Sequence, residues 1–170
     1  MYCKVIGMAF IILSLCVTVH ADIELTSGEQ DGFVNEKEYN RNGRTVLVGK
    51  RDFVGVFEFH LTQKIPVKKA TLVLTVSTVK VPGEFIVYHL LSFNNGRAEV
   101  QDYFSPGDVV KKIYVDSPKT VRIDVTREVN QDIQGPGEFT SYKVATESNG
   151  EILFQGFDSG VDYAKIETIP

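Results

Sequence analysis

The chain is dominated by short runs in which apolar and polar residues alternate. In residues 51–61, RDFVGVFEFHL, every second position from Phe53 to Leu61 is apolar or glycine, whereas Glu58 and His60 fall on the opposite face. Residues 69–78 and 119–126 alternate in the same way. A period of two with one apolar face is typical of a half-buried β-strand. These runs therefore predict strands with one face turned to a core.

Other runs predict further strands and one short helix. Residues 83–91, GEFIVYHLL, are apolar on both faces, which favours a central position in a sheet. Only residues 126–134, TREVNQDIQ, favour a helix of one or two turns, with Thr126 as cap and Val129 and Ile133 on one face. The remaining strands are predicted near residues 31–35, 44–49, 108–115, 138–146, 151–155 and 163–169.

Turn signals separate these runs at short intervals. Asn-Gly occurs at 42–43, 95–96 and 149–150, and Pro-Gly occurs at 82–83, 106–107 and 136–137. Both dipeptides supply the backbone angles that tight turns need. Many short strands with regular turns and almost no helix predict an all-β fold, an antiparallel β-sandwich that is jelly-roll-like and has at most one short helix.

The first 21 residues have the pattern of a secretory signal peptide. Lys4 precedes an apolar run to Val19 that is too short to span a bilayer, and Ala21 suits the cleavage position. The sequence predicts cleavage after Ala21, a secreted protein and a single domain at 22–170. Lipid anchoring at Cys16 is the alternative, but Leu15 is not the small residue that lipoprotein boxes normally have there.

The composition of residues 22–170 excludes several classes of protein. Both cysteines lie in the leader, so the predicted domain has neither disulfide nor thiol nucleophile. Without Lys4, 17 Lys and Arg face 22 Asp and Glu, a net charge of −5 that argues against nucleic acid as a partner. No second apolar span predicts a membrane crossing.

No catalytic constellation stands out. The chain has no G-x-S-x-G elbow, and His60 and His89 lie on two separate predicted strands without a third ligand nearby. Paired carboxylates are plentiful, but no predicted cleft places any of them. The interpretation is a protein without enzymatic activity and without a required cofactor.

Two polar patches are candidate binding surfaces. The loop from Tyr39 to Arg44 contains Tyr39, Arg41 and Arg44, and its arginines suit the carboxylates of an acidic polysaccharide because guanidinium binds carboxylate through two hydrogen bonds. A solvated loop without a ligand is the simpler interpretation of the same residues.

The second patch is the polar stretch 91–107, LSFNNGRAEVQDYFSPG. Asn95-Gly96 predicts a turn, but Arg97 and Tyr103 exceed what a turn requires. If residues 97–104 form one strand, these two side chains share a face and Phe104 belongs to the core on the other. Calcium at Glu99 or Asp102 is an open alternative, since hard cations bind clustered oxygens.

The order of several short motifs resembles the DNRLRE-type secreted modules. These motifs are Asp31-Gly32-Phe33-Val34, Leu47-Val48-Gly49, Phe59-His60-Leu61, the run from Ala70 to Val76, and residues 121–133, VRIDVTREVNQDI. The family includes alginate-binding carbohydrate-binding modules and disaggregatase repeats, so the resemblance implies a jelly-roll-like sandwich and polysaccharide binding. His60 stands where the family usually has an acidic residue.

Two functions remain open. The resemblance favours a secreted, non-catalytic carbohydrate-binding module. The absence of Trp, the best residue for stacking on sugars, and the lack of an accompanying catalytic domain favour a structural or adhesive module of the extracellular matrix that contacts other proteins. A polysaccharide or an extracellular protein is therefore the expected partner.

Overall fold

The computed structural model describes residues 21–40, 43–49, 52–92 and 94–170. The predicted leader up to His20 lies outside the described residues, as do Arg41 and Arg51. The described chain forms two antiparallel six-stranded sheets, which confirms the predicted all-β sandwich. In this part of the chain, no helix has the length and apolar character needed to cross a membrane.

The first sheet, sheet A, is organised around one long strand. Its strands are β1 (Ala21–Glu24), β4 (Thr45–Val48), β6 (Lys69–Val81), β9 (Lys119–Asp124), β11 (Glu151–Gln155) and β12 (Lys165–Ile169). Strand β6 pairs with β9, β11 and β12, while β4 pairs with β11 and β1 with β12. The long strand thus connects most of the sheet.

The second sheet, sheet B, has a simple strand order. Its strands are β2 (Asp31–Val34), β3 (Tyr39–Asn40), β5 (Val54–His60), β7 (Gly83–Leu90), β8 (Gly107–Val115) and β10 (Phe139–Ala145). They follow the order β3-β2-β5-β10-β7-β8. Strand β7 pairs on both sides, as its two apolar faces predict.

The main core lies between the two sheets. It is rich in aromatic rings that are fully buried, and Phe57 of sheet B meets Phe154 of sheet A edge to face at 5.8 Å between ring centroids. Phe53, Phe59 and Leu61 belong to the same core, as the alternation in residues 51–61 predicts. The residues between them, including Val54 and Val56, therefore point to the outer face of sheet B.

The predicted helix is present as α2 (Thr126–Gln134) and covers part of the core, but Val125 is its N-cap and the assignment of Thr126 as cap is wrong. Val129 and Ile133 are buried on its inner face, as predicted. His89 of β7 is 1% exposed, and its Nε2 lies 2.8 Å from an Asp132 carboxylate oxygen on the helix. This contact ties α2 to sheet B and gives His89 a structural partner.

A single-turn helix, α1 (Val100–Phe104), replaces the strand considered for residues 97–104. The strand interpretation is wrong here because Glu99 and Asp102 form a reciprocal capping box that starts a helix. Ser105 ends the helix just before Pro106. The chain therefore crosses the outer face of sheet B between β7 and β8 instead of pairing with it.

Candidate functional site

Residues 94–106, here called the cover segment, pack on the outer face of sheet B. Ala98 of this segment lies in a small apolar cluster with Val34, Val54, Val56 and Leu90, all of them buried. This cluster is separate from the core between the sheets. Sheet B is thus covered on both faces, and the cover segment forms a third, partial layer.

A buried carboxylate holds the turn of the cover segment. Glu58 is 0% exposed, and its Oε2 accepts the backbone N–H of Gly96 at 2.6 Å. Gly96 has φ +83°, and Asn95 Oδ1 accepts the N–H of Arg97 at 3.0 Å, so the predicted turn is present. Burial, and secondarily the nearby charge of Asp102, raises the pKa of Glu58 to about 8.

A second buried carboxylate begins α1. Asp102 is 0% exposed, and its Oδ2 accepts the backbone N–H of Glu99 at 2.6 Å. Burial raises the pKa of Asp102 to about 6, although the Glu99 N–H and the charge of Lys143 act in the opposite direction. The strand interpretation places Asp102 on the same face as Phe104, but Asp102 is buried here because of where the cover segment crosses the sheet, and Phe104 is not.

Lys143 of β10 holds the other end of α1. Its ammonium donates hydrogen bonds to the carbonyl oxygens of Asp102 at 3.2 Å, Tyr103 at 3.1 Å and Ser105 at 2.9 Å. Its Nζ also lies 5.9 Å from the centre of the Tyr88 ring. Burial lowers the pKa of Lys143. The side chain therefore fixes the position of Tyr103 and its neighbours against the sheet.

These contacts create an open cleft of about 490 Å³, here called the aromatic cleft. Tyr88 and Lys143 form its floor on the sheet, and Tyr103 and Phe104 line one side. The Tyr103 and Phe104 rings are perpendicular, with centroids 5.1 Å apart. Gly49 and Asp52 also line the cleft.

The predicted site residues occupy different places on the molecule. Tyr39 and Arg97, which lie 58 positions apart in the chain, line the same depression of about 200 Å³ with Glu29. The Arg97 guanidinium lies 3.3 Å from a Glu29 carboxylate oxygen, and both side chains are largely exposed. Tyr103 lines the aromatic cleft instead, so the described residues provide two surfaces.

Arg44 belongs to neither surface. It precedes β4 in sheet A, and its carbonyl oxygen accepts the N–H of Gly156 at 2.9 Å. Its side chain is exposed. Arg41 lies outside the described residues, so the joint action of the two arginines stays a prediction.

The sequence predicts Phe104 in the core and does not indicate Tyr88 or Lys143 as site residues. The core assignment is wrong, because Phe104 is 64% exposed at the end of α1. The strand alternation of β7 and β10 does place Tyr88 and Lys143 on the outer face. No local pattern indicates that the cover segment brings two aromatic residues beside them.

Among the described residues, no group of three or more His, Cys, Asp or Glu side chains is arranged to hold a metal ion. Calcium at Glu99 or Asp102 therefore stays a prediction without a coordination shell to support it. No protein-family model matches the chain, and no curated protein sequence matches it. The resemblance to DNRLRE-type modules accordingly stays a prediction from the motifs.

Proposed function

We propose that this domain is a non-catalytic carbohydrate-binding module that binds a polysaccharide in the aromatic cleft. The observation that carries the proposal is the pair Tyr103 and Phe104 at the edge of an open cleft, with Phe104 64% exposed. A large exposed aromatic ring costs solvation free energy, and it is a common anchor of binding surfaces. Sugar rings have apolar C–H faces that pack on such rings.

The polar groups of the cleft suit hydroxyl recognition. The phenol hydroxyls of Tyr88 and Tyr103 make no hydrogen bond to another described residue, so each is available to a sugar hydroxyl. Lys143 contributes positive charge, but its N–H groups are directed to three carbonyls of the cover segment. Because Asp52 brings the opposite charge, the cleft itself has no strong preference for an acidic polymer.

The test is affinity electrophoresis through gels that contain soluble neutral or acidic polysaccharides. We expect at least one polymer to retard the wild-type protein, and Phe104→Ala to weaken this retention about tenfold through loss of ring stacking. Tyr114→Ala is the matched control, because Tyr114 is 62% exposed on β8 and lies outside the cleft. Unretarded migration of the wild type through every gel would refute the proposal.

The edge of sheet B supports a second candidate, an adhesive or structural module. Strand β8 pairs only with β7 among the described strands, and it exposes Val109 (53%) and Tyr114 (62%). An unpaired edge with apolar side chains can add a strand from another protein. Lys111 and Lys112 on the same strand oppose uncontrolled pairing. If Tyr114→Ala abolished retention in the gels and Phe104→Ala left it unchanged, this second function would be favoured.

A further inference from the structure

Glu58 and Asp102, here called the acid pair, are both buried beneath the cover segment. One oxygen of each carboxylate accepts a backbone N–H of that segment, from Gly96 and Glu99 respectively. The other oxygens, Glu58 Oε1 and Asp102 Oδ1, are buried without a hydrogen-bond partner in the described chain. A buried carboxylate with an unpartnered oxygen is costly when it is charged.

The neighbouring groups do not neutralise the acid pair by direct ion pairing. No Lys or Arg nitrogen of the described residues lies within 4.0 Å of either carboxylate, although Lys143 is close enough to influence Asp102. Ser141 pairs with Glu58 in the ladder between β10 and β5, and its buried hydroxyl is also without a partner. The pair therefore lacks the cation that two buried negative charges would need.

The other titratable groups around the acid pair lie farther out. His60 follows Glu58 on the same face of β5, where its ring packs on Phe139. Arg97 and Glu99 belong to the cover segment, and Arg97 forms its ion pair with Glu29 at the surface. Glu99 adds negative charge next to Asp102. Because none of these groups forms an ion pair with Glu58 or Asp102, protonation is the simplest way to remove charge from the acid pair.

We propose that protonation of the acid pair holds the cover segment on sheet B, so that Glu58 and Asp102 act as positioning residues that keep the aromatic cleft assembled at acidic pH. Protonation removes charge from a buried carboxyl that has an unpartnered oxygen, and it removes the repulsion between Glu58 and Asp102. When this proton is lost, two negative charges face each other under the segment, and the segment loosens. The segment carries Tyr103 and Phe104, so the cleft loses one side.

The direction of the pH effect follows from the pKa values. The pKa of Glu58 rises from 4.5 to about 8 and that of Asp102 from 3.8 to about 6, so the folded domain retains protons that the unfolded chain releases. The stability that these protons contribute is complete below about pH 4 and is lost as the pH rises to 8. The domain is therefore expected to be more stable at pH 5 than at pH 8.5.

The experiment measures thermal unfolding of the ligand-free protein from pH 4.5 to pH 9. We expect the wild-type melting temperature to fall by about 5 °C or more between pH 5 and pH 8.5. Glu58→Gln should remove most of this fall, because the neutral amide replaces the protonated acid. Glu84→Gln, at an exposed position on β7, is the matched control and should keep the wild-type profile.

Hydrogen exchange localises the effect. The protection factor of the Gly96 amide should decrease at pH 8.5 in the wild type and stay constant in Glu58→Gln. If Glu58→Gln does not fold, Asp102→Asn is measured instead, and it should reduce the fall between pH 5 and pH 8.5 only in part, because burial still raises the pKa of Glu58. Identical pH profiles of wild type and variant would overturn the proposal. So would restoration of the wild-type melting temperature at pH 8.5 by calcium, since a cation would then be the natural partner of the pair.

The pH effect on the cover segment does not depend on whether the ligand is a sugar. Neither measurement contains a ligand, so failure to bind any polysaccharide would refute the proposed function and leave the pH effect intact. If both proposals hold, retention of the protein on a polysaccharide gel should be stronger at pH 5 than at pH 8.5.

Discussion

Sheet B buries side chains on both faces, but the inner face buries mostly apolar side chains, whereas the outer face also buries charged ones. Its inner face contributes Phe57, Phe85 and Tyr142 to the main apolar core, in which the buried His89, bonded to Asp132, is a polar exception. Its outer face, one residue along the same strands, buries Glu58 and half-buries Lys143 under the cover segment. The stability of the inner face depends mainly on how well side-chain volume fills the core. The stability of the outer face depends on individual hydrogen-bond partners. The first tolerates conservative change, whereas the second should respond to pH and to single polar substitutions.

The largest expected effect comes from the inner face. Phe57→Ala should lower the free energy of unfolding by about 3–5 kcal/mol, because it leaves a cavity opposite Phe154. Val56→Ala, the adjacent residue on the outer face, should cost only about 1–2 kcal/mol for two methyl groups. Urea unfolding measures both values. Equal losses would contradict the distinction between a main core and a thinner outer layer.

A medium effect is expected in the turn of the cover segment. Gly96→Ala should cost about 1–3 kcal/mol, because φ +83° is unfavourable for alanine. The added Cβ would also lie 2.5 Å from the Phe139 ring. Gly137→Ala is the control, since its nearest contact would be 4.0 Å away. Thermal unfolding compares the two, and an unaffected Gly96→Ala protein would show that the segment is only loosely attached.

The smallest expected effect separates the two candidate surfaces. Arg97→Ala removes an exposed ion pair with Glu29 and should change the free energy of unfolding by no more than about 1 kcal/mol. It should leave polysaccharide retention unchanged if the aromatic cleft is the binding site. Weakened, salt-dependent retention would instead assign binding to the depression between Tyr39 and Arg97.

Most strands of the sandwich were predictable, because alternation of apolar and polar residues with a period of two indicates which side chains are buried at the inner face. The alternation from Phe53 to Leu61 and the helix around Val129 and Ile133 are confirmed. The short strands β1 and β3 were not predicted, because β1 begins at the last residue of the predicted leader and the two residues of β3 carry no readable period. Local pattern thus succeeds where one apolar face repeats along a strand.

The candidate site was much less predictable. Tyr103 was found from its polar surroundings, but its partners Tyr88 and Lys143 lie on strands that the cover segment reaches only through tertiary packing. Glu58 is buried on the outer face although it is an acidic residue, and the backbone N–H groups that contact it, that of Gly96 first, lie almost 40 positions away in the chain. Such a position has no signature in a single sequence.

The pairing of β1 with β12 has a consequence for how the domain folds. Asp22 pairs with Glu167 in the ladder, and its carboxylate forms an ion pair of 2.9 Å with Lys165, 143 positions later in the chain. The ladders of β6 also form only when the much later strands β11 and β12 pair with it. Forming a contact between residues so distant in sequence closes a very long loop. The loss of chain entropy on closure opposes folding before the contact adds any stabilisation. The rate of folding should therefore be limited by sheet A, on the timescale of about milliseconds to seconds that is usual for β-sandwiches.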